Sequence, residues 1–134
     1  MAEAYLKSKN LPNIEVTSSG IEAKKDLNGW VSKYTINLLE ESNIFSYLSQ
    51  HWIQSTKEII ESQDLVIFMR QNHYDYCIDK LKCNLGEFHV WDVLDLGDYF
   101  DNKLEKIPLE IKQIKAKEIF EEIKKGVDSL IVDL

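Results

Sequence analysis

Cysteine is scarce: two in 134 residues are too few for a disulfide framework, and neither Cys77 nor Cys83 has partners at zinc-ligand spacing. Reduced thiols and no bound metal are therefore expected. No apolar run is longer than a strand and the first residues are mixed polar, so neither a spanning helix nor a signal peptide is read. Basic residues are in deficit. A formal net charge of -7 argues against a nonspecific nucleic-acid binder, whose phosphate partner demands a cationic surface, and leaves room only for a small basic patch. Repeats, linkers and low-complexity tracts are missing as well. What remains fits one domain over residues 1–134 with a sizeable core, expected to be soluble, cytoplasmic and without a cofactor.

The stretch Asp64-Leu65-Val66-Ile67-Phe68-Met69 is a continuous apolar run between two helical patterns, which predicts a parallel strand buried on both faces. Ligands gather where such strands end, so Arg70 to His73 is the first place to look for a site. Met1 to Asn10 reads as a short uncapped helix with Ala2, Tyr5 and Leu6 on one side, broken at Pro12. Asn13 to Ser18 alternates like a strand that Ser19-Gly20 ends, and Ile21 to Gly29 reads as a loop. Val31, Tyr34, Leu38 and Leu39 repeat at helical spacing up to a left-handed stop at Asn43.

Ser55 and Glu58 have capping-box spacing, which predicts a helix over Thr56 to Ser62. Tyr74, Cys77, Ile78 and Leu81 predict another, ended by Gly86, and Phe88 to Leu94 reads as a strand. Asp95 to Asn102 is an acidic, Gly-containing loop. Ile107, Ile111, Ile114, Phe120, Ile123, Val127, Leu130 and Leu134 then define a long amphipathic helix. The alternation is that of an α/β domain with parallel strands and right-handed crossovers, although three strands make a thin sheet.

Met1-Ala2-Glu3-Ala4, the segment Val16 to Gly20, Asp64 to Met69 with His73, and Trp91-Asp92-Val93-Leu94-Asp95 resemble, in order and spacing, the low-molecular-weight protein tyrosine phosphatases. The resemblance implies a three-layer αβα fold of the phosphotyrosine protein phosphatase I-like type, with a parallel sheet in strand order 2-1-3-4. In that family the first strand ends in a Cys-x5-Arg-Ser phosphate loop, commonly followed by Pro-Met-Ala-Glu-Ala. This sequence starts at that Met, so the expectation is a short parallel sheet lacking the first central strand and the loop. The sole arginine, Arg70, does not lie six residues after either cysteine. The chemistry needs that spacing because backbone N–H groups and the guanidinium fork cradle the phosphoryl oxygens while a helix N-terminus lowers the thiol pKa. A start at an internal Met, through a mistaken start codon or a truncated gene, is the preferred explanation; a natural pseudo-phosphatase is its rival.

The same resemblance assigns roles. Asp95 matches the general acid that protonates the leaving phenolate oxygen. Asp95-Leu96-Gly97 replaces the usual Asp-Pro-(Tyr/Phe), and Asp98-Tyr99 is the alternative equivalent. Ser18 matches a serine that helps hold the phosphate loop by hydrogen bonds; as a bare sequence feature it is a strand-end turn residue. Trp30 and Tyr99 are candidate walls of a phosphotyrosine slot, whereas His51, His73 and Arg70 read as ordinary solvated side chains and Cys77 as a packed core thiol. The thiol pair is similar to that of arsenate reductases, but their first resolving cysteine sits where this chain has Met69.

The implied function is phosphomonoester hydrolysis through a phospho-cysteine in the complete family form, on a phosphorylated protein or a small aryl phosphate, with no turnover by the chain as it stands. A non-catalytic binding module is the alternative, and an unrelated α/β domain sharing only the pattern is a third reading. A sheet with an unpaired inner edge is also expected to be marginally stable or to self-associate.

Overall fold

A strand forms only where a second strand accepts its hydrogen bonds, and among the described residues that condition is met once. The computed structural model describes residues 1–22, 33–49, 51, 53–101 and 103–134. In chain order the elements are α1 (Ala2–Ser8), α2 (Lys33–Glu41), α3 (Lys57–Glu61), β1 (Leu65–Phe68), α4 (Gln71–Asp79), β2 (Glu87–Val90), α5 (Leu96–Tyr99) and α6 (Leu109–Asp133), with 3-10 turns at Phe45–Tyr47 and Leu104–Lys106. The chain divides into two compact units. One contains the described parts of Met1–Ser18, Asn28–His51 and Leu94–Leu134, the other those of Ser19–Leu27 and Trp52–Val93. No helix among the described residues is long and apolar enough to cross a membrane.

The second unit holds the sheet. β1 and β2 run parallel, in register from Leu65 opposite Glu87 to Phe68 opposite Val90, and α4 is the crossover between them. Trp91 N–H donates to Phe68 O at 2.9 Å, so Val66 and Phe68 turn their backbone groups toward β2 and, by the two-residue period, Leu65 and Ile67 turn theirs away. That far edge has no ladder partner among the described residues. The reading of β1 as buried on both faces is corrected accordingly: only Phe68 is buried, while Leu65, Val66 and Ile67 are half-buried, because the sheet flanks them on one side only. Phe68, Tyr74 and Phe88 form an aromatic trio, with Tyr74 stacked on Phe88 at 5.0 Å and Phe68 edge-on to both. Ile60, Cys77 and Cys83 complete this core with Phe68.

The predicted strand over Asn13 to Ser18 does not form. Its residues are almost all exposed, with Ile14 40% accessible, so the alternation has no surface to bury against and no ladder to join. An isolated parallel bridge between Gly20 and Gln54 is what remains, with Gly20 N–H bonded to Ile53 O and Ser55 N–H to Gly20 O, both at 2.9 Å.

The helix ends follow local chemistry. Asn43 is the left-handed stop expected of it, at φ 58°: its N–H reaches Glu40 O, and Ile44 N–H reaches Leu39 O, the paired bonds that satisfy a helix's last carbonyls. Thr56 rather than Ser55 caps α3, its side chain accepting from Ile59 N–H at 3.2 Å, while the Ser55 hydroxyl bonds Ser19. α4 stops at Asp79, well before Gly86. Lys82 takes the left-handed conformation at φ 57°, and Cys83 N–H folds back to Cys77 O. Val31 and Gly29 lie outside the described residues.

In the first unit, α6 is the spine. Ala116, Ile119, Phe120, Ile123 and Val127 are its buried stripe, and Ala4, Leu38 and Leu39 close the core over Ala116 and Phe120. Ala4 and Ala116 are fully inaccessible, and their small size permits close approach of α1 to α6. Tyr5 sets its ring edge-on to Phe120 at 6.3 Å and donates its hydroxyl proton to Asp128 at 2.8 Å. Ile111 and Ile114, among the apolar positions that define the amphipathic helix in the sequence, are 48% and 60% exposed, because the packing stripe begins only at Ala116.

These burials set the expected cost of truncation. Phe120→Ala should lose about 3–5 kcal/mol of unfolding free energy in a urea titration of the full chain. Ile114→Ala should stay within about 0.5 kcal/mol of the parent.

Candidate functional site

α1 is seven residues long and starts without a side-chain cap, so it is held by what it touches. Glu3 and Lys7 stand one turn apart on it and pair at 2.7 Å, yet Glu3 is no surface partner: its side chain is 3% exposed. Its carboxylate accepts from four donors: Lys7 Nζ, the Ser18 hydroxyl, the Ser49 hydroxyl and, at 3.3 Å, Ser49 N–H. Lys7 Nζ also reaches Ser49 Oγ at 3.3 Å. Burial pushes the Glu3 pKa up, but the hydrogen bonds from Lys7, Ser18 and Ser49 and the Lys7 charge outweigh it, and the group ends below the ordinary glutamate value. Ser18, singled out in the sequence, is thus tied to a residue that was not. The i, i+4 spacing of Glu3 and Lys7 was visible, but the two serines that make Glu3 a buried hub are remote in sequence.

Asp95, read as part of a loop, opens a helix. It is the N-cap of α5: Oδ1 accepts from Asp98 N–H at 2.8 Å, while Asp98 Oδ2 accepts from Asp95 N–H at 3.3 Å, a reciprocal capping box. The signal was present in the Asp-x-x-Asp spacing. Asp95 is exposed and its Oδ2 has no hydrogen-bond partner among the described residues, so one oxygen is fixed by the cap and the other is open to a proton. Asp98, the alternative, is the third residue of the same helix and is engaged in the box. Tyr99 follows, 37% exposed, with the Lys115 ammonium 3.8 Å from its ring centre. Trp30, its proposed companion, lies outside the described residues.

The end of β1 carries Arg70 as the backbone N-cap of α4, its carbonyl accepting from His73 N–H at 3.1 Å. His51 is exposed at a bend. Cys77 and Cys83 are free and buried, and lie in contact. Burial, then the neighbouring Cys83, pushes the Cys77 thiol up to about 11; burial and next Glu61 raise Cys83 as well. Both are therefore protonated at neutral pH, which is the opposite of a thiolate nucleophile. No group of three or more His, Cys, Asp or Glu residues suited to holding a metal ion occurs among the described residues.

The family model described as Low molecular weight phosphotyrosine protein phosphatase matches residues 1–134. No curated protein and no solved structure matches the chain.

The Glu3 hub has a pH signature. A carboxyl whose folded pKa is depressed stabilises the fold above its unfolded value of 4.5 and loses that contribution as pH falls through the lower, folded value. Glu3→Gln should cost about 2–3 kcal/mol at pH 7 in chemical denaturation. The gap between parent and variant should close as pH drops below 4.5; a gap constant down to strong acid would show that the charge of Glu3 contributes nothing.

Proposed function

The chain belongs to the low molecular weight phosphotyrosine protein phosphatase family, and from that premise we propose that it carries the acid half of a phosphomonoester-cleaving site and does not turn over by itself. The observation behind this reading is the sequence fact that its one arginine never follows a cysteine at the Cys-x5-Arg interval. The two cysteines it does have are buried thiols with raised pKa values, which cannot take the nucleophile's place. In the complete family form a cysteine thiolate attacks phosphorus, the phosphoryl group passes to sulfur, and the alcohol or phenol leaves. Asp95 is assigned the proton that the leaving oxygen needs, and then, as carboxylate, the proton of the water that hydrolyses the phospho-cysteine. Its capped Oδ1 and open Oδ2 suit both tasks. Ser18, held by Glu3, is assigned the support of the phosphate loop. The substrate class is a phosphorylated protein or a small aryl phosphate, and residues 1–134 act as one phosphatase-like domain.

The second reading, a phosphatase-fold module that binds without catalysis, is favoured by the same absence. Release of phenolate from para-nitrophenyl phosphate separates the two halves of the proposal. The parent chain and Asp95→Asn should both be indistinguishable from buffer. Turnover by the parent that Asp95→Asn lowers by about 100-fold or more would overturn inactivity and uphold the acid; turnover that Asp95→Asn leaves intact would overturn both.

The open edge of β1 also carries a proposal, that the chain pairs with itself there. Sedimentation should show mass above 15.7 kDa growing with concentration. A monomer across the whole range would sink the idea.

A further inference from the structure

Positive charge is outnumbered in this chain, 16 basic residues to 23 acidic, and unevenly placed. Residues 103–117 carry five lysines against two glutamates, within a sequence whose net charge is -7. The fold of the first unit brings part of that surplus, on α6, together with Lys33 of α2. Lys33 and Lys112, on α2 and α6, stand over the same Tyr34 ring, at 5.6 and 5.4 Å from its centre. The two ammonium groups are therefore no farther apart than the sum of those radii. Neither has an ion-pair partner among the described residues. Lys115, one turn after Lys112, covers the Tyr99 ring of α5 and is balanced by Glu118 at 3.0 Å. Ile111 and Ile114 form the neighbouring row of α6 and are exposed.

Two like charges held at one aromatic ring repel each other. The ring attracts each of them, but it supplies no net negative charge. Carboxylates placed against them remove the repulsion and gain charge-assisted hydrogen bonds. We propose that this patch docks an acidic polypeptide segment, its carboxylates on Lys33 and Lys112 and an apolar side chain against Ile111 and Ile114. The occupant follows from the charge map. A nucleic acid needs a basic track along many phosphates, and the acidic remainder of this chain repels one beyond the patch. An anionic membrane surface is captured by clusters of four to eight basic residues, more than the two lysines here that have no ion-pair partner among the described residues. The docking needs neither a nucleophile nor Asp95, so it stands apart from the catalytic reading. Tyr99, the ring that Lys115 covers, lies one turn of α5 beyond the assigned acid, its N–H bonded to Asp95 O at 3.2 Å.

Fluorescence anisotropy with the full chain and a labelled peptide rich in Glu, Asp and Leu tests this. A peptide of equal length with Gln and Asn in place of the acids is the reference. The acidic peptide should bind, the neutral one should bind at least about 10-fold more weakly, and added salt should weaken the acidic complex. Lys33→Gln with Lys112→Gln should reduce affinity by about 10-fold or more, while Lys80→Gln with Lys125→Gln, the same charge loss elsewhere, should change it by less than about 2-fold. Circular dichroism melting confirms folding; should the double variant not fold, Lys33→Gln alone, at an exposed position, carries the same comparison. Equal loss in both double variants, no binding of the acidic peptide, or tighter binding of an oligothymidine or of phosphatidylserine vesicles would overturn the proposal.

Discussion

A carboxylate that leaves water forfeits its hydration, a cost of several kcal/mol in a protein interior, and it stays ionised only where enough donors converge on it. Glu3 meets that condition through an arrangement that no single element supplies. Lys7 comes from its own helix, Ser18 from the segment after it, and Ser49 from beyond the 3-10 turn at Phe45–Tyr47. Three stretches of chain distant in sequence must be in place together before the charge is satisfied. What the hub supplies is thus specificity of arrangement more than raw stability, and the short α1, too brief to persist alone, is fixed by Glu3 on one side and by Ala4 against α6 on the other. The serine that the family resemblance marks is fixed by the same hub.

The sheet unit solves a different problem. Two strands of four residues are marginal in water, and here they persist because Phe68, Tyr74 and Phe88 interlock across strands and crossover helix, over Cys77 and Ile60. Nothing comparable lies on the far edge of β1, where the backbone groups of Leu65 and Ile67 have no ladder partner among the described residues. The apolar run that made this stretch look like the middle of a sheet is present in the sequence; the burial expected for a central strand is not.

Legibility followed range. Asn43 was readable because a left-handed stop is a property of one residue and its preceding turn. The cap of α3 was misplaced by one position because Ser55 and Thr56 are chemically alike, and only Ser19, a distant hydroxyl, decides which is free to cap. The parallel pairing and the family were legible from motif order along the whole chain. The helix at Asp95 was missed because an acidic pair around a glycine looks like loop chemistry, although the same pair forms a capping box. The burial of Glu3 and the convergence of Lys33 and Lys112 on Tyr34 were beyond reach, since each depends on elements that only tertiary packing brings together. Ile111 and Ile114 kept helical rhythm without a neighbour to bury them, a reminder that periodicity names a face and not its occupant.

Cys77 and Cys83 both belong to the sheet unit, and the helical unit has no cysteine at all. Shielded thiols with raised pKa values react with alkylating or disulfide reagents only when the structure around them opens. The chain therefore carries a built-in reporter: the rate at which thiol reagents modify it at equilibrium times the breathing of one unit alone, with no label introduced and no residue changed.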